Sequence, residues 1–184
     1  MALKATVFRA TLAVSDLDRQ HYATYSLSLA RHPSETDERM MVRLLAFVLF
    51  ASEQLAFGRG LSTEDEPDLW EKDLTGAVTC WIEVGLPDPR RLRQASGRAD
   101  SVVVLAYGGR PAGIWWQTHR AELSALDKLA VIELASADTA ALASLAQRSM
   151  QIEATVQDEL IWLHVGETTL EIRPVWLQRA GGDQ

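Results

Sequence analysis

The sequence predicts an α/β (α+β) protein, with helices alternating with buried strands through its middle and antiparallel strands at both ends. Three observations predict it. In residues 21–29, Ala23, Tyr25, Leu27 and Leu29 alternate with Tyr22, Thr24, Ser26 and Ser28, the period of two that marks a strand with one buried face. The run Ser101–Tyr107 shows no such alternation, as expected of a strand covered on both faces, usually in a parallel pair. Near the end, Met150, Ile152, Ala154 and Val156 alternate with Gln151, Glu153, Thr155 and Gln157.

Leu3–Val14 is rich in β-branched and apolar residues and stops at the turn signal Ser15-Asp16-Leu17-Asp18. It pairs with His21–Leu29 as an antiparallel hairpin. A helix follows. Ser34 is its expected cap, Asp37 its third residue, and Met41, Leu44, Leu45 and Val48 form one apolar stripe to about Leu55, the i, i+3, i+4, i+7 pattern. Leu55–Leu61 reads as a short strand, Ser62–Glu71 as an acidic loop, and Ala77–Leu86 as a buried strand. Pro87-Asp88-Pro89 opens the next helix, because proline is tolerated in a first turn. Beyond the 101–107 strand, Pro111 to about Leu126 reads as a helix and Leu129–Leu134 as a strand. A helix capped by Asp138 runs through Gln147. Met150–Gln157, Leu160–Val165 and Thr169–Trp176 then form an antiparallel meander.

The 184 residues fit a single domain, 1–184, large enough to bury a core without staples. The longest unbroken apolar run, Leu44–Ala51, is far too short to span a bilayer. The first residues lack the basic head and apolar stretch of a signal peptide. With one cysteine, Cys80, the natural setting is a reducing cytoplasm. A net charge of −7 counts against strong binding of duplex nucleic acid, which relies on phosphate neutralisation. A local basic patch beside a small site remains compatible with it.

Two carboxylates carry the chemistry. Asp68 lies in a Pro-Asp pair, and Glu83 interrupts the apolar run Ala-Val-Thr-Cys-Trp-Ile-Glu-Val-Gly-Leu. On a strand, Glu83 faces away from Val78, Cys80, Ile82 and Val84 and shares a face with Gly85. An ionised acid in such a strand is costly unless paired or metal-bound. Asp68 and Glu83 are therefore candidate metal and catalytic residues for Mg²⁺ or Mn²⁺, hard cations that take oxygen ligands. The bland alternative is an ion pair with Arg39, Arg43 or Arg90. In the following helix, Arg90, Arg91 and Arg93 are candidate phosphate ligands, or simply a solvated face. Glu35 and Arg39 are possible supporting residues, otherwise used in helix-surface ion pairing. Lys72, close in sequence to Asp68, can supply a base from another segment. Trp115-Trp116 can stack on bases, although neighbours on a helix point in different directions. The four histidines show no zinc spacing.

The chain resembles the YaeQ family. The match rests on Leu3-Lys-Ala-Thr, Asp16-Leu-Asp-Arg, His32-Pro-Ser-Glu-Thr, Glu38-Arg-Met-Met with Arg43-Leu-Leu-Ala, Arg59-Gly-Leu and Asp65-Glu-Pro. It continues through Trp81-Ile-Glu with Gly85-Leu-Pro, Ile114-Trp-Trp, Ala154-Thr with Gln157-Asp158, and Ile161-Trp-Leu. The resemblance implies a compact bacterial protein with a restriction-endonuclease-like mixed-sheet core, a variation of the PD-(D/E)XK nuclease fold. Asp68 and Glu83 fall at the motif's metal carboxylates, and Gly85 departs from its lysine. Two functions follow: a metal-dependent phosphodiesterase acting on nucleic acid, or a non-catalytic module that meets a protein partner. Neither involves a membrane.

Overall fold

The computed structural model describes residues 3–59 and 65–181. Its elements are β1 (Thr6–Asp16), β2 (His21–Arg31), α1 (Asp37–Phe50), β3 (Leu55–Phe57), β4 (Leu69–Lys72), β5 (Val78–Val84), α2 (Pro89–Arg98), β6 (Ala99–Ala106), α3 (Arg110–Leu123), β7 (Leu129–Glu133), α4 (Ser136–Ser144), β8 (Ser149–Gln157), β9 (Leu160–Val165), β10 (Thr168–Ile172) and β11 (Val175–Gln178). They form two mixed sheets, ordered β10-β9-β8-β1-β2 and β11-β7-β6-β5-β4-β3.

The expected hairpin is β1–β2, paired from Thr6↔Arg31 to Asp16↔His21. The expected meander joins it: β8 runs parallel to β1 from Arg9↔Ser149 to Asp16↔Val156. The segment expected as one strand from Thr169 to Trp176 is two. β10 stays in the first sheet, and β11 crosses to pair antiparallel with β7 in the second. Pro174 lies at that crossing, where its missing N–H costs no ladder bond. In the second sheet β5, β6 and β7 are parallel. Val102–Ala106 is buried throughout, as the unalternating run in β6 foretold.

α1 is where the predicted pattern was too narrow. Every residue from Met40 to Val48 is buried, because the helix lies between the sheets and has no solvated stripe in that span. Its cap is Thr36, whose hydroxyl accepts the Arg39 N–H at 3.1 Å. Ser34 does not cap, since its hydroxyl is hydrogen-bonded to His32 Nδ1 at 2.7 Å. Asp37 is therefore the first helical residue, not the third. The helix stops at Phe50, before β3 begins at Leu55. α2 starts as read: Asp88 accepts the Arg90 N–H at 2.7 Å and Pro89 follows. α4 begins at Ser136, with Asp138 in its first turn rather than at the cap, and ends before Gln147. Leu69–Glu71, expected in a loop, belongs to β4. The end of the short strand read to Leu61, and Ser62–Glu64 of the loop, lie outside the described residues.

Two clusters make the core. One fills the space between the sheets, with Leu12, Leu29, Met41, Phe47, Ile82, Leu105, Ile152 and Ile161 among its members. The other lies under α2 and α3 on the far face of the second sheet, with Trp81, Leu92, Val104, Trp115 and Val131. Trp115 is buried there, donating its indole N–H to the Pro87 carbonyl at 3.0 Å, and Trp116 packs against the same cluster. The Trp115 indole is thus part of the core, while Trp116 stays half-buried at its edge. Among the described residues no helix is long and apolar enough to cross a membrane.

Phe47 meets Tyr25 of the first sheet edge-on at 5.0 Å and stacks on Phe57 of the second at 5.6 Å. Phe47→Ala should lower unfolding free energy by about 3–5 kcal/mol, the cost of emptying a packed aromatic site. Urea denaturation measures it.

Candidate functional site

β5 carries the site because its two faces serve different cores. Ile82 and Val84 point between the sheets, while Trp81 points under α2 and α3. Glu83 follows the Trp81 side and is 5% exposed. β4 pairs antiparallel with β5, with Leu69 opposite Ile82. The register thus puts Asp68 beside Glu83. Gly58 fixes this turn of chain: its N–H donates to the Asp68 carbonyl at 2.9 Å, and a Cβ on it would lie 2.0 Å from the Pro67 carbonyl oxygen.

Each carboxylate is met by an arginine. Asp68 Oδ1 accepts from Arg39 Nη2 at 2.6 Å, and Oδ2 from the Val84 N–H at 2.7 Å. Glu83 Oε1 accepts from Arg91 Nε at 2.7 Å and from the Trp81 indole at 2.8 Å. Arg91 also donates to the Glu66 carbonyl at 2.7 Å. Behind Arg39, Glu35 accepts from Arg39 Nη1 at 3.0 Å and takes Arg43 with both oxygens, at 2.8 and 2.9 Å. Arg43 closes the chain on the Ala30 carbonyl at 3.0 Å. Glu35, Arg43, Asp68 and Glu83 are all buried. Among the described residues, three carboxylates thus meet three guanidiniums.

Burial, and then the nearby Asp68 charge, push the Glu83 carboxyl above its ordinary value, against the opposing pull of Arg91 and the Trp81 hydrogen bond. Tyr107 is half-buried just beyond the end of β6; burial raises its hydroxyl, and the charges of Arg39, Glu38, Glu35 and Asp68 also act on it.

The structure brings together Asp68, Glu83, Glu35, Arg39 and Arg91. It does not bring in the others. Arg90 is exposed, and Arg93 pairs with Glu122 of α3. Lys72 sits at the far end of β4, its ammonium 3.6 Å from the Trp70 ring centroid, roughly 13 Å of strand from Asp68. Glu35 and Arg43 are not surface partners but core ones. Gly85 does not share the strand face with Glu83: it lies beyond β5 at φ +105°, and its N–H donates to the Leu105 carbonyl at 2.9 Å. A lysine there would be strained, because L side chains avoid positive φ. Trp81 and Tyr107 were missed. The signal for Trp81 was its place two residues before Glu83, on the same strand face. Among the described residues no three or more His, Cys, Asp or Glu side chains cluster as metal ligands.

The family model described as YaeQ protein matches residues 1–174. The chain belongs to the YaeQ family. It is 46% identical over 179 residues to the Uncharacterized protein YaeQ of Salmonella typhi, covering 97% of this chain and 99% of that protein. Its Escherichia coli (strain K12) counterpart is 44% identical with the same coverage. The crystal structure of YaeQ protein from Xanthomonas axonopodis pv. citri superposes with a TM-score of 0.92 at 48% identity, covering 95% of this chain and 98% of that one. The Pseudomonas syringae YaeQ structure gives 0.91 at 37% identity, with 97% and 98% covered. The matched YaeQ region contains every residue of the carboxylate–arginine cluster.

Two measurements test this geometry. Glu35→Ala strands Arg43 in the core and should cost about 3–5 kcal/mol, as when one partner of a buried ion pair is removed; urea unfolding reads it. For Glu83 the folded value lies above the unfolded one, so the folded state holds more protons between them. Its contribution to stability is therefore largest below the ordinary carboxylate value and is lost as pH rises toward the raised one. The difference in unfolding free energy between wild type and Glu83→Gln should fall with pH across that window and flatten above it.

Proposed function

We propose that the protein is a nuclease-like phosphodiester-binding protein, built on a variation of the PD-(D/E)XK core and acting on nucleic acid at Asp68 and Glu83. One observation carries the reading. Two acids sit side by side, Asp68 just before β4 and Glu83 on β5, each neutralised by an arginine from a different helix, Arg39 from α1 and Arg91 from α2. Such arginines can leave a carboxylate for a phosphate, since planar guanidinium forks suit both.

The donor set fits a divalent cation. Glu83 Oε2 accepts no hydrogen bond from the described residues, and each Asp68 oxygen accepts only one there. Coordination therefore remains on both carboxylates for Mg²⁺ or Mn²⁺. A bound cation would supply positive charge to a phosphodiester and acidify water. The rest falls to the protein. Arg39 and Arg91 turn to the phosphate oxygens, Trp81 holds Glu83 in place, and Tyr107 bounds the site.

Charge balance sets the order of binding. The six charges among the described residues sum to zero, so a divalent cation alone would add two uncompensated charges to them. A cation arriving with phosphate anions restores balance. The same neutrality favours a second reading, a non-catalytic module whose internal ion pairs hold a surface for a protein partner.

Calorimetric titration of Mn²⁺ into wild type and Glu83→Gln, with and without a short phosphorothioate oligonucleotide, separates the two. The first reading expects uptake by wild type only with the oligonucleotide present, lost in the variant. Uptake undiminished in Glu83→Gln would remove Glu83 from the site. No uptake under any condition would leave the non-catalytic reading standing.

A further inference from the structure

A hollow lies at the end of α1 opposite the carboxylate–arginine cluster. Between the sheets, a cavity of about 360 Å³ is walled by Leu49 and Phe50 of α1, Ile132 of β7 and Trp176 of β11. Pockets for small organic molecules begin at roughly 300 Å³ and are mostly apolar with few polar groups at the edge. Here those groups are acidic. Asp18 comes from the β1–β2 turn, and Asp158 and Glu159 from the β8–β9 turn.

The charges at this mouth differ in their commitments. Asp16 and Arg19, also in the wall, neutralise each other at 2.7 Å, and Arg19 donates onward to the Ala51 carbonyl at 3.1 Å. Asp18 accepts the N–H groups of Asp158 and Glu159 at 2.8 and 2.9 Å, which ties the two turns together. The Asp158 carboxylate accepts no hydrogen bond among the described residues. Glu159 pairs with Arg179 at 2.6 Å, and the Arg179 guanidinium lies 4.5 Å from the Trp176 ring centroid. The chain thus already holds one organic cation beside the cavity, between a carboxylate and an indole that both line it. This is the chemistry by which proteins bind ammonium and guanidinium ligands.

We propose that this cavity binds a small amphipathic organic cation, an aryl- or alkyl-substituted ammonium or guanidinium. Its apolar body lies against Phe50, Ile132 and Trp176, and its charge lies at Asp158 and Glu159. Arg179 acts as a tethered competitor for Glu159. An anion of the same shape meets three carboxylates. A neutral analogue leaves the Asp158 charge unmet. This inference is independent of the phosphodiester reading, since it uses no residue of that cluster.

Calorimetry with phenethylammonium, phenethyl alcohol and hydrocinnamate tests it directly. The ammonium should bind saturably, the alcohol at least about threefold more weakly, and the carboxylate not at all. Asp158→Asn should weaken the ammonium by about threefold with the alcohol unchanged. Asparagine tolerates the positive φ of 52° at that position, so the turn survives. Arg179→Ala should tighten the ammonium, because it frees the Glu159 carboxylate at the mouth. A merely structural Arg179 would predict no gain. Equal affinity for charged and neutral compounds, weaker ammonium binding in Arg179→Ala, or no saturation in either protein would overturn the proposal.

Discussion

A guanidinium buried in the middle of the central helix is the constraint on which the rest of this structure depends. Arg43 is 2% exposed and lies within the run Met40–Val48, all of it in the core. A charge there costs several kcal/mol unless it is paired and hydrogen-bonded. Glu35 therefore has to fold back over the start of α1 and take it with both oxygens. Glu35 then holds Arg39, Arg39 reaches Asp68, and Asp68 accepts the Val84 N–H of β5. One charge in the helix thereby connects the end of β2, through the Ala30 carbonyl, to the central strand of the second sheet.

The same chain of pairs explains why the candidate site is both buried and polar. Glu83 stands across from Asp68 but faces the second core, so it needs its own cation, and α2 supplies Arg91. Neutrality keeps the cluster stable in a low dielectric. It also makes exchange of partners more feasible than addition of charge, because exchange leaves the sum unchanged. Gly85 belongs to this logic. The chain turns there at a positive φ, and position 85 presents no side chain beside Glu83. Guanidiniums from two helices stand beside the carboxylates instead.

α1 also separates two different environments. At 14 residues it is about 21 Å long. Its first turns border the carboxylate–arginine cluster, and its last turn forms one wall of the apolar cavity. The two sheets are held by this helix and by β11, which leaves the meander to join the second sheet. The cavity lies where these two connections meet, walled by Phe50 on one side and Trp176 on the other. A polar end and an apolar end on one helix follow from its sequence: acids and arginines through Arg43, then apolar side chains from Leu44 to Phe50.

What the sequence by itself determined is local. The alternation in β2 and β8, the unalternating run of β6, and the Asp88-Pro89 start of α2 each depend on the period or cap chemistry of neighbouring residues. Asp68 and Glu83 were legible as a pair because a lone acid in an apolar strand demands a partner. Tertiary structure decided the partner. Glu83 takes Arg91 rather than Arg90, because one residue on α2 turns the side chain by about 100°. It also buried α1 on every side, paired β8 in parallel with β1, drew Leu69–Glu71 into β4, and sent β11 to the other sheet. None of these has a local signature. Each depends on which backbone edge or apolar face arrives from a distant part of the chain, and adjacent residues do not encode that.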